Sequence, residues 1–298
     1  MKDEAFGVGE GWLLSKLWGL SRATSPAPFS MPELPEVADA VRRIRPRIRG
    51  RWIVAIEPLH AATRRALPPA ARRRLVGHTI IDVTRRGKYQ LLVLDDGTQL
   101  VAHFRLDGDW VVQGSEKALP PHARLVIDLA PRATASHGAN RLILTDPRAL
   151  ATITAHAPSR PPALSLGPEA DAANLTPDAL FARLASTRTA IKLALLDQRR
   201  LAGLGNIYAA EALWRAGIDP RTPATHLTRA QAAHLLRGIR AALRDGERRA
   251  GRYRTGTRTA PFKVYDRAGA PCTRCGTAIA ALTQGGRTTY WCPGCQRR

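Results

Sequence analysis

The chain has 298 residues, with 46 Lys or Arg against 24 Asp or Glu, and a formal net charge of +22. That length supports about two domains with a sizeable core, and so basic a chain suits a polyanion partner rather than an acidic one. No run of about 18 apolar residues occurs, so no transmembrane helix is expected; the basic excess is spread along the chain rather than packed on one amphipathic helix, which argues against a membrane surface.

Residues 1–30 carry three basic and three acidic side chains, so the whole excess lies in 31–298. The short apolar run Trp12–Leu20 follows Lys2-Asp3-Glu4 rather than a basic stretch, so no secretory signal is expected. Residues 21–30 read as a disordered linker. Then comes Met31-Pro32-Glu33-Leu34-Pro35-Glu36-Val37. Val37, Val41, Ile44 and Ile48 recur at helical spacing, predicting a helix from Glu36 to about Arg49, with Pro46 kinking or crowding its end. Glu33 and Glu36 at its start complement the helix dipole. Within a chain the Pro32 nitrogen is an amide with its lone pair in resonance; at a chain terminus it is a secondary amine that can attack carbon.

Residues 52–156 read as short strands, for example Ile53–Ile56, Thr79–Thr84, Tyr89–Leu94, Leu100–Phe104, Trp110–Val112, Leu125–Leu129 and Arg141–Leu144. Turn signals at 95–97, 107–108 and 131–140 punctuate them, as in a sandwich or barrel. Arg85-Arg86-Gly87-Lys88-Tyr89 is a basic turn entering a strand: a solvated turn, or a functional site, since Lys occurs at only six positions in the chain. His103 and His122 read as strand-face residues rather than ligands.

Ala157–Pro168, rich in Pro, is the domain boundary. Helices follow. Thr176-Pro177 caps one over Asp178–Ala185, a second covers about Thr189–Gln198, a third runs from near Asn206 to before Gly217, and Thr228 caps a fourth that closes at Gly246. Gly203-Leu204-Gly205-Asn206 places two glycines and an Asn at a helix start. Backbone N–H groups there suit a phosphate, with Asn206 adding a donor and Lys192 a nearby charge; an ordinary helical corner is the plain alternative.

Cys272-x2-Cys275 and Cys292-x2-Cys295 present two pairs of thiolates from two knuckles, the pattern of one structural Zn²⁺ with no open coordination position. Cysteine used this way suits a reducing, cytoplasmic compartment. Arg287, Thr288 and Thr289 lie in the hairpin between the knuckles, where an Arg can reach into a phosphate-lined groove.

In order along the chain, Met31–Val37, Arg86–Tyr89, Thr145–Arg148, Leu166–Glu169, Ala190–Lys192, Gly203–Ala209 with Glu211, and Tyr290–Gln296 resemble the bacterial formamidopyrimidine/endonuclease VIII family of DNA glycosylases over essentially all of 31–298. The resemblance implies an α+β fold: an N-terminal β-sandwich with flanking helices over 31–156, a linker over 157–169, a helix–two-turns–helix domain over 170–260 and a C-terminal zinc-ribbon finger over 261–298. Residues 1–30 are then a disordered extension, with Met31 as the expected biological start.

The resemblance further implies a monomeric, nucleoid-associated glycosylase/AP lyase acting on damaged double-stranded DNA. In it Pro32 is the nucleophile, Glu33 the proton shuttle, Lys88 a phosphate contact that supports β-elimination, and Arg287 the residue for phosphate binding and δ-elimination. Asn206 and Lys192 hold phosphate, His122 touches DNA, and Leu106, Arg148 and Leu150 fill the gap left by the extruded nucleotide. There are departures. The family's usual His-Leu-Gly-Met-x-Gly reads His103-Phe104-Arg105-Leu106-Asp107-Gly108, and its Asp-Pro-Arg-Arg-Phe-Gly reads Asp146-Pro147-Arg148-Ala149-Leu150-Ala151. Pro-Glu-Leu-Pro-Glu favours oxidised purines as substrates. Oxidised pyrimidines, and a damage-binding protein without catalysis, stand as the alternatives.

Overall fold

Helix α1, Leu34–Ile48, joins the two halves of the molecule. The computed structural model describes residues 32–130, 140–249 and 262–297; the expected extension, Met31 and most of the turn at 131–140 lie outside them. In α1 the Glu33 N–H donates to Glu36 Oε2 at 3.0 Å, satisfying one of the donors that the first turn leaves open. Val37, Ala40, Ile44 and Ile48 form a buried stripe against the strands, while Leu34 packs into the helical core instead. Pro46 is accommodated in the last turn, one turn before the helix gives way to extended backbone at Arg49.

Two four-stranded antiparallel sheets enclose the first core. One has the order β1-β6-β7-β5, built from Ile53–Pro58 (β1), Ala123–Leu129 (β6), Arg141–Thr145 (β7) and Asp109–Gln113 (β5). The other has the order β2-β3-β4-β8, from Ile80–Arg86 (β2), Tyr89–Leu94 (β3), Gln99–His103 (β4) and Thr152–His156 (β8). Alternating residues such as Ile80, Leu92, Leu94 and Leu100 meet Leu125, Ile127, Leu142 and Leu144. The reading of 52–156 as strands needs one correction. Ala61–Ala66 (α2) and Pro69–Leu75 (α3) are helical, because this Ala- and Arg-rich stretch has no two-residue alternation, His60 Nδ1 accepts the Ala62 N–H, and Pro69 is preset for a first helical turn.

The second core gathers helices α4 (Pro177–Ala185), α5 (Ile191–Leu196), α6 (Asn206–Ala216) and α7 (Arg229–Arg249) with the cysteine module. Thr176 Oγ1 caps α4 through Ala179 N, and Gly217 ends α6 in the left-handed conformation. Helix α5 is shorter than its pattern, since extended backbone at Ala190 and Asp197 bounds it. Nor does α7 close at Gly246. It continues to Arg249, and Gly246 is there for space: a Cβ would lie 2.3 Å from the Tyr208 hydroxyl oxygen. No helix among the described residues is long and apolar enough to cross a membrane.

Glu211 on α6 anchors the C-terminal module. Its buried carboxylate accepts the N–H groups of Lys263, Val264 and Tyr265 at 2.9–3.1 Å. Glu211→Ala leaves those donors without an acceptor, a cost of about 3 kcal/mol. The expected outcome is a lower melting temperature together with faster metal extraction by a chelator; unchanged extraction would show that the module is anchored elsewhere.

Candidate active site

The start of α6 is already occupied by an anion from the protein itself. Gly205 N and Ile207 N donate to the Glu33 carboxylate at 2.7 and 2.8 Å, and Tyr208 N follows at 3.3 Å. The expectation that these N–H groups cradle a phosphate is therefore corrected: the helix N-terminus holds Glu33. Glu33 is 2 % exposed. Burial pushes its carboxyl up to about 7, with Glu36 adding to the rise, while Lys88 and the Ile207 and Tyr208 N–H groups pull the other way. Behind it, Glu36 Oε1 accepts the Tyr208 hydroxyl at 2.6 Å, so Glu36 ties the Glu33 backbone to α6. Pro32, directly before Glu33, is buried.

Gly205 is the tightest point of this arrangement. A Cβ there would lie 2.4 Å from Glu33 Cδ and 2.7 Å from Lys88 Nζ. Gly205→Ala must therefore displace both charged groups. Since a misplacement of about 1 Å costs roughly 10²-fold in rate, strand cleavage is expected to fall by that order with a native-like melting temperature; full activity in Gly205→Ala would show that neither group needs its present position.

Four charged side chains share one electrostatic field here. Lys88, 8 % exposed, has its ammonium pushed down by burial and by Arg287, against the pull of Glu33 and Glu36. Lys192 is pushed down to about 8 by burial and Arg287. Lys192 was expected to offer its charge to phosphate, yet it is fully buried, and its Nζ donates to Thr289 Oγ1 at 2.5 Å and Thr288 O at 3.3 Å. Asn206 Nδ2 likewise donates to Thr288 O at 2.9 Å, while its Oδ1 has no partner among the described residues. Both side chains thus hold the hairpin of Ala280–Gln284 (β9) and Arg287–Trp291 (β10), which leaves Arg287 exposed at the edge of the site.

The basic turn is not simply solvated. Arg85 and Arg86 pair with Glu169, Arg85 also meets Asp171 at 2.7 Å, and Gly87 N donates to Glu169 at 2.7 Å, so the turn bearing Lys88 is fastened to the interdomain segment. Beside it lies a lip of loops. Buried Asp146 accepts Arg148 N at 3.0 Å and Ala151 N at 2.6 Å, shaping the turn that exposes Leu150. Arg148 pairs with Asp107, which joins this turn to residues 104–108. Leu106 is half-buried there, and exposed His122 abuts through its carbonyl to Asp146 N at 3.0 Å. Arg105, His122 and Ala149 all have φ between +55° and +62°, a conformation that L-residues rarely adopt and that collects at functional sites.

The four cysteines converge as expected. Their sulfurs all lie within 4.8 Å of one another, Cys272 with Cys295 at 3.8 Å and Cys275 with Cys292 at 3.4 Å. Zn–S bonds of about 2.3 Å in a tetrahedron require S–S edges of about 3.8 Å, so the set fits one zinc ion. Trp214 Nε1 on α6 donates to Cys272 Sγ at 3.4 Å, an outer contact that orients the ligand.

Three family profiles match the chain: the formamidopyrimidine-DNA glycosylase N-terminal domain over residues 31–153, the formamidopyrimidine-DNA glycosylase H2TH domain over 166–255, and a zinc finger found in FPG and IleRS over 269–298. The chain belongs to the formamidopyrimidine-DNA glycosylase family. The formamidopyrimidine-DNA glycosylase of Chloroflexus aggregans is 39 % identical over 280 residues, covering 89 % of this chain and 98 % of that one. That of Bordetella pertussis is 38 % identical over 282 residues, covering 90 % and 100 %. Among solved structures, the Lactococcus lactis formamidopyrimidine-DNA glycosylase bound to DNA containing an AP site superposes with TM-score 0.78 at 28 % identity, covering 90 % of this chain and 100 % of that one. MutM in complex with DNA containing carbocyclic 8-oxoguanine gives 0.79 at 30 % identity, with the same coverage.

As a formamidopyrimidine-DNA glycosylase the chain has supporting residues that its motifs do not single out. Tyr208 sits inside a matching stretch, but its partner Glu36 is far away in sequence; Glu169 shows the same limit, since only the fold brings it to Arg86.

Proposed function

We propose that the protein is a bifunctional DNA glycosylase/AP lyase of base excision repair that removes oxidised purines, with Pro32 as its terminal nucleophile. The observation that carries this reading is the Glu33 carboxyl. It is buried beside Pro32, its titration is raised to about 7, and it lies within the field of Lys88. A carboxyl poised near neutrality next to a nucleophilic amine suits a proton shuttle. The matched region supports Pro32 as the terminus, because the first profile begins at residue 31 and the relatives span about 90 % of this chain over their full length.

An extruded nucleotide brings its C1′ to the Pro32 nitrogen; the new N–C1′ bond forms as the glycosidic bond breaks, and the base leaves with a proton. Glu33 delivers a proton to the ring oxygen as the sugar opens, which gives the iminium. The iminium acidifies C2′, so loss of that proton expels the 3′ phosphate, and a second elimination expels the 5′ phosphate. Lys88 supports the first elimination and a phosphate; Arg287 on the zinc-held hairpin supports the second. Asn206 and Lys192 act for DNA by fixing that hairpin, and Asn206 retains an amide proton for a phosphate. His122, Leu106, Arg148 and Leu150 meet the duplex at the lip, where leucine side chains can wedge a base step. The zinc is structural and takes no part in the steps. Such an enzyme works at the bacterial nucleoid.

The test compares cleavage of duplexes carrying 8-oxoguanine or thymine glycol by the chain beginning at Pro32. Faster cutting of the 8-oxoguanine strand, with phosphates left at both ends of the gap, is expected. Faster cutting at thymine glycol would favour an endonuclease VIII-like enzyme, for which Asn174-Leu175-Thr176-Pro177 and Phe262-Lys263-Val264-Tyr265 are the motivating observation. Tight binding without cleavage would point to a damage-binding protein.

A further inference from the structure

The turn between β4 and β5 carries a cation in an unusual place. Arg105 has φ +56° and an exposed side chain, and it stands where the family pattern has glycine. Three contacts hold the turn around it. The Arg105 N–H donates to His103 Nδ1 at 3.0 Å, Gly108 N closes back on Phe104 O at 3.0 Å, and Asp107 pairs with Arg148 across the lip. A Cβ on Gly108 would lie 2.9 Å from the Phe104 backbone, so the turn has little freedom to relax. Arg148 shares its charge with Asp107, whereas the Arg105 guanidinium has no hydrogen-bond or ion-pair partner among the described residues.

Arg105 is also linked to the site through His103. His103 is buried against Tyr89, their ring centroids 4.7 Å apart, and Tyr89 follows Lys88. Burial pushes His103 down to about 4, and the charges of Arg105 and Lys88 push it the same way. The charges of Lys88 and Arg105 therefore both act on one neutral imidazole.

We infer that Arg105 is an additional DNA-binding residue, clamping a backbone phosphate next to the extruded nucleotide. The inference rests on the DNA-glycosylase reading above. A non-glycine residue with positive φ persists where the surroundings over-determine it, and here the surroundings hold a guanidinium without a protein anion at the rim of the site. Phosphate is the ligand whose charge and geometry a fork of guanidinium donors fits. The contact positions the duplex and does not read its bases.

The test measures dissociation constants of a duplex with a tetrahydrofuran abasic analogue across a salt series. The proteins are the wild type, Arg105→Gly and Arg105→Lys. Glycine adopts the left-handed conformation without strain, so Arg105→Gly should melt no lower than wild type and a loss of binding is not a loss of fold. Arg105→Gly is expected to bind roughly tenfold more weakly at low salt, equally against all four opposite bases. Its log–log salt slope should be shallower by about 0.9, the value for one phosphate contact, and Arg105→Lys should keep the wild-type slope. An unchanged slope in Arg105→Gly, or a loss confined to one opposite base, would overturn the proposal. Wild-type protein that shows no salt-dependent binding would instead sink the DNA-glycosylase reading on which it rests.

Discussion

Glu33→Gln is expected to lower iminium formation, and the strand cleavage that follows it, by about 10²- to 10⁴-fold, the usual contribution of a positioned proton donor, while leaving the fold intact. The amide has nearly the volume of the carboxyl and keeps one oxygen, enough for the Gly205 and Tyr208 N–H groups that share Oε2, at the cost of the acceptor for the Ile207 N–H. What it removes is the transferable proton. The same group sets a pH dependence. In the folded protein the carboxyl is raised from 4.5 to about 7, chiefly by burial, so it is protonated below that value and loses its proton above it. The rate of the step that needs the proton is therefore expected to fall about tenfold per pH unit above about 7, and Glu33→Gln should lack this limb. A wild-type rate flat from pH 6 to 9 would contradict the assignment. Stability has the same sign. A raised carboxyl stabilises the fold fully below 4.5, and that contribution is lost as pH rises through about 7. Glu33→Gln should accordingly denature with less dependence on pH in that window.

Legibility in the sequence follows the distance between partners. The cysteine pairs are readable because each knuckle is four residues long and the chemistry is carried by residue type. Helices α4 and α6 are readable from Thr176 and Gly217, whose roles are local. Gly246 misleads for the opposite reason. A glycine late in a helical pattern has the form of a stop, but this one serves the approach of Tyr208, 38 positions earlier, and nothing near it in sequence says so. The occupancy of the α6 N-terminus is hidden in the same way. Glycines before a helix are a phosphate signal, and the carboxylate that takes the place lies 172 positions away from Gly205. Lys192 shows that charge alone does not place a side chain: spacing puts it near the site, and only packing against Thr288 and Thr289 shows it to be buried. Arg105 is visible in the sequence as a departure, but its positive φ and its missing partner are properties of the fold.

The central claim concerns the Pro32 nitrogen. As an amide it cannot attack C1′; as a terminal secondary amine it can. Glu33 follows that position directly, and Lys88 and Gly205 lie beside Glu33. The most direct measurement is borohydride trapping on a duplex with an abasic site, comparing protein that begins at Pro32 with protein that retains residues 1–31. A covalent protein–DNA adduct through Pro32 is expected from the first and none from the second. No adduct from the chain beginning at Pro32, or equal adduct from the chain with residues 1–31 attached, would contradict it.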